Sequence, residues 1–247
     1  MKKGLLLLLL AALIVVTGRM LRPAVLPETQ PPLPVVTLEQ PAAVEPPPKP
    51  DPVVPDWNLT LVNPWNPLPE DHTISLTRLK NGQAVDARCY PALQDMMDAC
   101  RGAGLEPLIC SSYRTQEKQE WLFENKVSQF LAKGLSEDAA RAEAAKVVAL
   151  PGTSEHQLGL AVDIVDTGYQ LLDDTQADTP VQQWLMEHCW EYGFILRYPK
   201  EKEALTGIIY EPWHYRYVGR DAALAIRDSG LCLEEYLEQV TAQGRKV

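Results

Sequence analysis

Apolar residues in the middle of this chain recur at helical spacing in some stretches and alternate in others. In PALQDMMDACRGAG, Leu93, Met96, Met97 and Cys100 repeat at three- and four-residue intervals, Pro91 suits a first helical position, and Gly102 and Gly104 close the run. LEPLICSSY then reads as a short buried strand. TQEKQEWLFENKVSQFLAKG predicts a second amphipathic helix capped by Thr115, and SEDAARAEAAKVVAL a third, which Ser136 starts with acids in its first turn. VQQWLMEHCWEYGF is a fourth, closed by Gly193. Strands are expected at 160–165, 194–197, 207–210 and 214–218. Helices come mainly first and strands mainly later, which predicts an α+β fold with helices packed on a small, largely antiparallel sheet.

The first residues follow another pattern. MKKGLLLLLLAALIVVTGRML has two lysines, an unbroken apolar run over residues 5–16, then Thr17, Gly18 and Arg19. That order is a secretory n-region and h-region. No small-x-small cleavage site follows, and the run is shorter than the ~20 residues that span a bilayer comfortably. Residues 1–21 are therefore expected to direct export, as an uncleaved membrane anchor in preference to a removed signal; cleavage would leave a secreted protein. Residues 22–55 are dense in proline, which forbids helix interiors and favours extended polyproline II, so a semi-rigid stalk is expected there. The globular domain is expected over residues 56–240.

Composition narrows the partners. A net charge of −10 and an isoelectric point near 4.9 exclude a basic face for nucleic acid. Five cysteines in an exported chain predict disulfides with one thiol left over. Strand and helix placement ranks Cys89–Cys110 and Cys189–Cys232 first; the alternative is that all five are small buried apolar residues.

The chemistry concentrates in three stretches. In TSEHQLGLAVDI, Asp163 sits inside an alternating apolar strand and needs a partner, because an unpaired buried carboxylate is costly. His156 lies just before that strand, and Gly159 would let the loop fold it back toward Asp163. The pair suits a zinc site, or else a plain His–Asp hydrogen bond in the core. In IIYEPWHYRYVG, His214 begins a strand and could supply a third ligand, leaving a fourth position open for water. Glu211, just upstream, could then take a proton from that water and pass it to a leaving amine. In ICSSYRTQEKQ, Arg114 stands where a strand hands over to a helix, placed to hold a carboxylate or an oxyanion, and Gln119 could offer an amide to a peptide. His72 and His188 compete poorly as ligands.

The order S-Y-R-T-x-x-x-Q, S-E-H-Q-x-G-x-A-x-D and T-G-x-x-Y-E-P-W-H-Y-R-Y-V-G resembles the VanY-type carboxypeptidases over roughly residues 59 to 237. Those are zinc D-alanyl-D-alanine carboxypeptidases that trim peptidoglycan stem peptides, with L,D-carboxypeptidase relatives. The resemblance implies that His156, Asp163 and His214 bind Zn2+, that Glu211 is the catalytic acid/base, and that Arg114 stabilises the developing oxyanion. It implies peptide contacts from Gln119 and Ser154, with Ser112 and Trp213 completing the expected substrate-binding set. The chain departs in Ser111-Ser112, where glycine is frequent before the Tyr-Arg pair, and in its extra cysteines; neither change removes a catalytic group. The expected activity is removal of the terminal D-alanine by direct attack of zinc-activated water. The alternatives are an L,D-carboxypeptidase on tetrapeptide stems and a non-catalytic wall-peptide-binding module.

Overall fold

The computed structural model of the protein describes residues 56–244. The expected signal or anchor and the stalk lie outside the described residues. A short hairpin comes first, β1 (Leu76–Arg78) against β2 (Ala84–Asp86), and was not expected from the sequence. Helix α1 (Tyr90–Gly102) follows and buries Leu93, Met96, Met97 and Cys100, the face its spacing predicts. Strand β3 (Pro107–Ser111) leads to α2 (Gln116–Ala132) and α3 (Glu137–Val147), whose first turns are capped by the hydroxyls of Thr115 and Ser136. Then come β4 (Ala161–Asp166), α4 (Pro180–His188), β5 (Phe194–Leu196), the single-turn α5 (Glu203–Thr206) and β6 (His214–Tyr217). Two further helices, α6 (Arg220–Ser229) and α7 (Leu233–Ala242), close the domain.

The main sheet has the order β3-β4-β6-β5 and every neighbouring pair is antiparallel. One face carries Val162, Ile164 and Tyr215 into the principal core with Leu93, Met96, Val181 and Leu185. Tyr215 donates its hydroxyl to Gln182 Oε1 at 2.7 Å, and Gln182 Nε2 donates to the Ile164 carbonyl, so α4 is locked to the sheet by buried polar contacts as well as apolar ones. The other face presents Asp163, His214 and Arg216. Alanines 140 and 144 let α3 approach Phe123 and Val127 of α2 closely, forming a separate small core.

Three expectations are corrected. Residues 207–210 form no strand: their amides are taken one by one, Ile209 by the Lys146 carbonyl and Tyr210 by Glu203 Oε1, so no sheet neighbour is required. The fourth helix tightens at Cys189 into a single 3₁₀ turn that runs to Gly193. The ranked disulfides are absent, and Cys89, Cys100, Cys110, Cys189 and Cys232 are all free thiols. Burial pushes the Cys89, Cys110 and Cys189 thiols up to about 12, which keeps them protonated. Among the described residues, no helix is long and apolar enough to cross a membrane.

Candidate active site

Asp163 and His214 are direct cross-strand partners in the β4–β6 register, so their side chains rise from the same face. His214 Nδ1 lies 3.0 Å from Asp163 Oδ1. The third member arrives from a tight turn over Glu155–Leu158 that ends at Gly159, whose φ of +71° is left-handed. A Cβ there would sit 2.2 Å from Ile74 Cδ1 as well as being strained, so only glycine lets the chain reverse at this point. The reversal delivers His156 Nε2 to within 3.3 Å of Asp163 Oδ2.

Hydrogen-bond partners decide how the imidazoles are oriented. His156 Nδ1 lies 2.8 Å from the Ser112 carbonyl, which only accepts, so Nδ1 carries the hydrogen and the Nε2 lone pair points at Asp163. Two acceptors 3.3 Å apart repel one another unless a cation sits between them. His214 turns its Nε2 toward Glu155 Oε2 at 3.6 Å and its Nδ1 toward the cluster. Glu155 is fully buried, and its Oε1 accepts from Arg197 Nε at 2.8 Å and from Arg216 Nη1 at 2.7 Å. Burial opposes its charge, yet the two guanidinium groups hold the carboxyl well below the usual carboxylate range.

The electrostatics call for a positive charge. Burial drives His156 down to about 4, so it is a neutral donor. Asp163, although buried, is held well below the ordinary range, with the His214 imidazole 3.0 Å from its Oδ1. Burial works against a charge on His214, but its contacts with Asp163 and Glu155 carry it up to about 9, so without a metal the site keeps a proton there. Ligand atoms of His156, Asp163 and His214 all lie within 4.8 Å of one another, and Asp163 Oδ1 is buried with no hydrogen-bond partner. Two imidazole nitrogens and one carboxylate oxygen are a zinc donor set and lack the all-oxygen shell that magnesium or calcium prefers.

Around this cluster lies a cleft of about 320 Å³. Glu211, turned inward by Pro212 and the bend before β6, places Oε2 3.6 Å from His214 Nδ1. Burial lifts its carboxyl to about 8, which makes it basic enough to accept a proton near neutrality. Arg114 donates from Nη2 to Asp163 Oδ2 at 3.0 Å and to Ser111 Oγ at 2.8 Å, from Nε to Ser111 Oγ at 3.1 Å, and from Nη1 to Gln119 Oε1 at 3.3 Å. A guanidinium has five N–H groups, so one on Nη1 remains. Ser154 and Trp213 line the cleft as well.

Gln119 and Ser112 stand elsewhere. Gln119 is fully buried; its Nε2 donates to the Ala149 carbonyl and its Oε1 accepts from Arg114, so it steadies that guanidinium. Ser112 Oγ accepts from Ala84 N and donates to Gln83 Oε1, while its carbonyl fixes the His156 tautomer. Sequence reasoning missed Glu155, Arg197 and Arg216. It also missed Tyr198, whose ring packs 4.7 Å from the His214 imidazole, and Lys126 on the cleft wall. Strand alternation puts Arg216 on the His214 face of β6, which is the available signal that a buried carboxylate must lie opposite.

The VanY family, described as D-alanyl-D-alanine carboxypeptidase, matches residues 82–220. A D-alanyl-D-alanine carboxypeptidase of Enterococcus faecalis (strain ATCC 700802 / V583) is 49% identical over 182 residues, which are 74% of this chain and 66% of that protein. The solved structure of VanYB in complex with D-alanine-D-alanine is 49% identical, with a TM-score of 0.69, over 74% of this chain and 98% of that one. A mutant of the vancomycin resistance D,D-pentapeptidase VanY in complex with Zn(II) is also 49% identical, with a TM-score of 0.68, over 73% of this chain and 99% of that one. Together with the His156–Asp163–His214 cluster, these matches establish that the chain belongs to the VanY D-alanyl-D-alanine carboxypeptidase family.

Proposed function

We propose that this protein is a zinc-dependent carboxypeptidase that removes the C-terminal D-alanine from peptidoglycan stem peptides. The observation that carries the reading is the inward-facing donor set His156, Asp163 and His214 with Glu211 beside it in one cleft. Zinc held by those three side chains would acidify water and polarise the penultimate carbonyl. Glu211 Oε2 then accepts the proton of the attacking water and returns it to the amine of the departing D-alanine. The remaining Nη1 hydrogen of Arg114 is available to the carbonyl oxygen as charge develops on it, and Ser111, Gln119 and Asp163 keep that guanidinium from turning. Glu155, pinned by Arg197 and Arg216, keeps the His214 ring facing the metal position. The acyl group passes directly to water, so no acyl-enzyme forms.

The D,D reading is supported by the 49% identity to a D,D-pentapeptidase and to a chain solved with D-alanine-D-alanine. The lysine-led apolar run and the proline-rich segment support an exported enzyme held at the membrane, with the catalytic domain outside. Digestion of a defined pentapeptide stem by the purified zinc-loaded protein, followed by mass spectrometry, tests the activity. Loss of one alanine residue from the C-terminus is expected; an unchanged stem would reject catalysis and leave a peptide-binding module.

A further inference from the structure

Helix α2 has two distinct faces. Gln119, Phe123 and Val127 point into the protein, while Leu122, Asn125, Lys126 and Gln129 follow the i, i+3, i+4, i+7 spacing of a second stripe. That second stripe forms one wall of the catalytic cleft; Leu172, Ile208, Ile209 and Trp213 stand among the residues lining the rest. Lys126 is half-buried on this wall and makes no hydrogen bond or ion pair in the structure. Its ammonium is therefore open to a partner that enters the cleft.

A substrate with a free C-terminus brings a carboxylate into this cleft, and that charge needs a cation once water is displaced. Two permanently cationic side chains line the cleft, Arg114 and Lys126. Arg114 is committed: four of its five N–H groups serve Asp163, Ser111 and Gln119, and the one left over suits a single carbonyl oxygen. Position agrees with this division. Glu211 meets the amine of the leaving residue, and the leaving carboxylate lies two covalent bonds from that amine, about 2.5 Å away. Lys126 and Glu211 line the same cleft.

We propose that Lys126 is the receptor for the terminal carboxylate of the substrate, and thereby a determinant of exopeptidase specificity. This rests on the carboxypeptidase reading above. An ammonium is a point charge on a flexible stem, so it can follow the carboxylate as the scissile bond opens, which a fixed guanidinium fork does less readily. The cost of losing the contact should appear in KM more than in kcat, since the carboxylate is charged in ground and transition state alike.

The test uses zinc-loaded protein and three stems: one with a free terminal carboxylate, one ending in D-alaninamide, and one whose free upstream D-glutamate carboxylate is amidated. In the unaltered protein, amidating the terminus should lower kcat/KM roughly 10- to 100-fold, the worth of a charge-assisted hydrogen bond. In Lys126→Met that penalty should largely vanish, with the loss carried by KM, and Lys126→Arg should restore most of it. Equal acid-over-amide discrimination in Lys126→Met and the unaltered protein would overturn the proposal. A Lys126 effect that follows the D-glutamate carboxylate would overturn it too, since the lysine would then read the upstream part of the stem. Affinity of the Glu211→Gln protein for acid and amide stems, with and without Lys126→Met, gives the same answer without turnover. A Lys126-dependent acid preference there would uphold the inference even if no stem were cleaved, separating it from the catalytic reading.

Discussion

Replacing Glu155 by glutamine should weaken both the fold and the metal site. Glu155, Arg197 and Arg216 are all fully buried, and one carboxylate oxygen, Oε1, accepts from both arginines. Arg197 has a second carboxylate in Glu234, at 2.6 Å, so the buried group balances two cations against two anions. The substitution leaves one positive charge uncompensated. Removing a partner from a buried ion pair costs about 3–5 kcal/mol, and the glutamine carbonyl can still accept one of the two bonds, recovering about 1–2 kcal/mol. The net loss is roughly 2–3 kcal/mol, or about 5–10 °C in the melting midpoint of a domain this size. Glu155 also faces His214 Nε2, and loss of such an orienting carboxylate lowers metal affinity about 10- to 100-fold. The pH dependence carries a sign of its own. A carboxyl depressed in the folded state contributes stability that is complete above its ordinary value of 4.5 and is lost as pH falls below it. The Glu155→Gln protein should therefore show a shallower acid limb than the parent. Urea and thermal unfolding across pH 3–7, with zinc affinity read by chelator competition, measure all three effects. A midpoint within about 1 °C of the parent, together with unchanged zinc affinity, would refute the reasoning.

Three further outcomes are expected. His156→Ala or His214→Ala should abolish both zinc binding, measured by elemental analysis, and activity; full hydrolysis by a chelator-stripped sample would reject the metal. Glu211→Gln should keep its zinc while turnover falls roughly 10²- to 10⁴-fold, and a fall of less than tenfold would point to another base. The intact protein should sediment with membranes and retain its original N-terminus; a soluble mature chain beginning beyond Gly18 would reject the anchor while leaving export in place.

How far the sequence revealed this site depended on the kind of information each residue carries. His156, Asp163, Glu211 and His214 were legible because their chemistry is scarce: four histidines occur in the chain, and an acid inside an apolar strand demands a partner. Helices α1, α2 and α3 were legible because their faces repeat over several turns. The hairpin β1–β2 escaped because three-residue strands are too short for alternation to stand out. Helices α6 and α7 had a usable signal: Leu233, Tyr236, Leu237 and Val240 follow helical spacing, and all pack in one cluster with Ile226. Gln119 and Ser112 are not among the residues lining the cleft, since nearness in sequence to Arg114 says nothing about which way a side chain points. The hardest to read was the support beneath the metal ligands. Glu155 comes from a turn, Arg197 from just after β5 and Arg216 from β6, three segments brought together only by sheet pairing. A buried glutamate beside a histidine looks like any solvated acid until two arginines at remote positions are seen to end on it. Its role is therefore a property of the β4–β6–β5 order, since that order brings Arg197 and Arg216 to one carboxylate and sets His214 against its other oxygen.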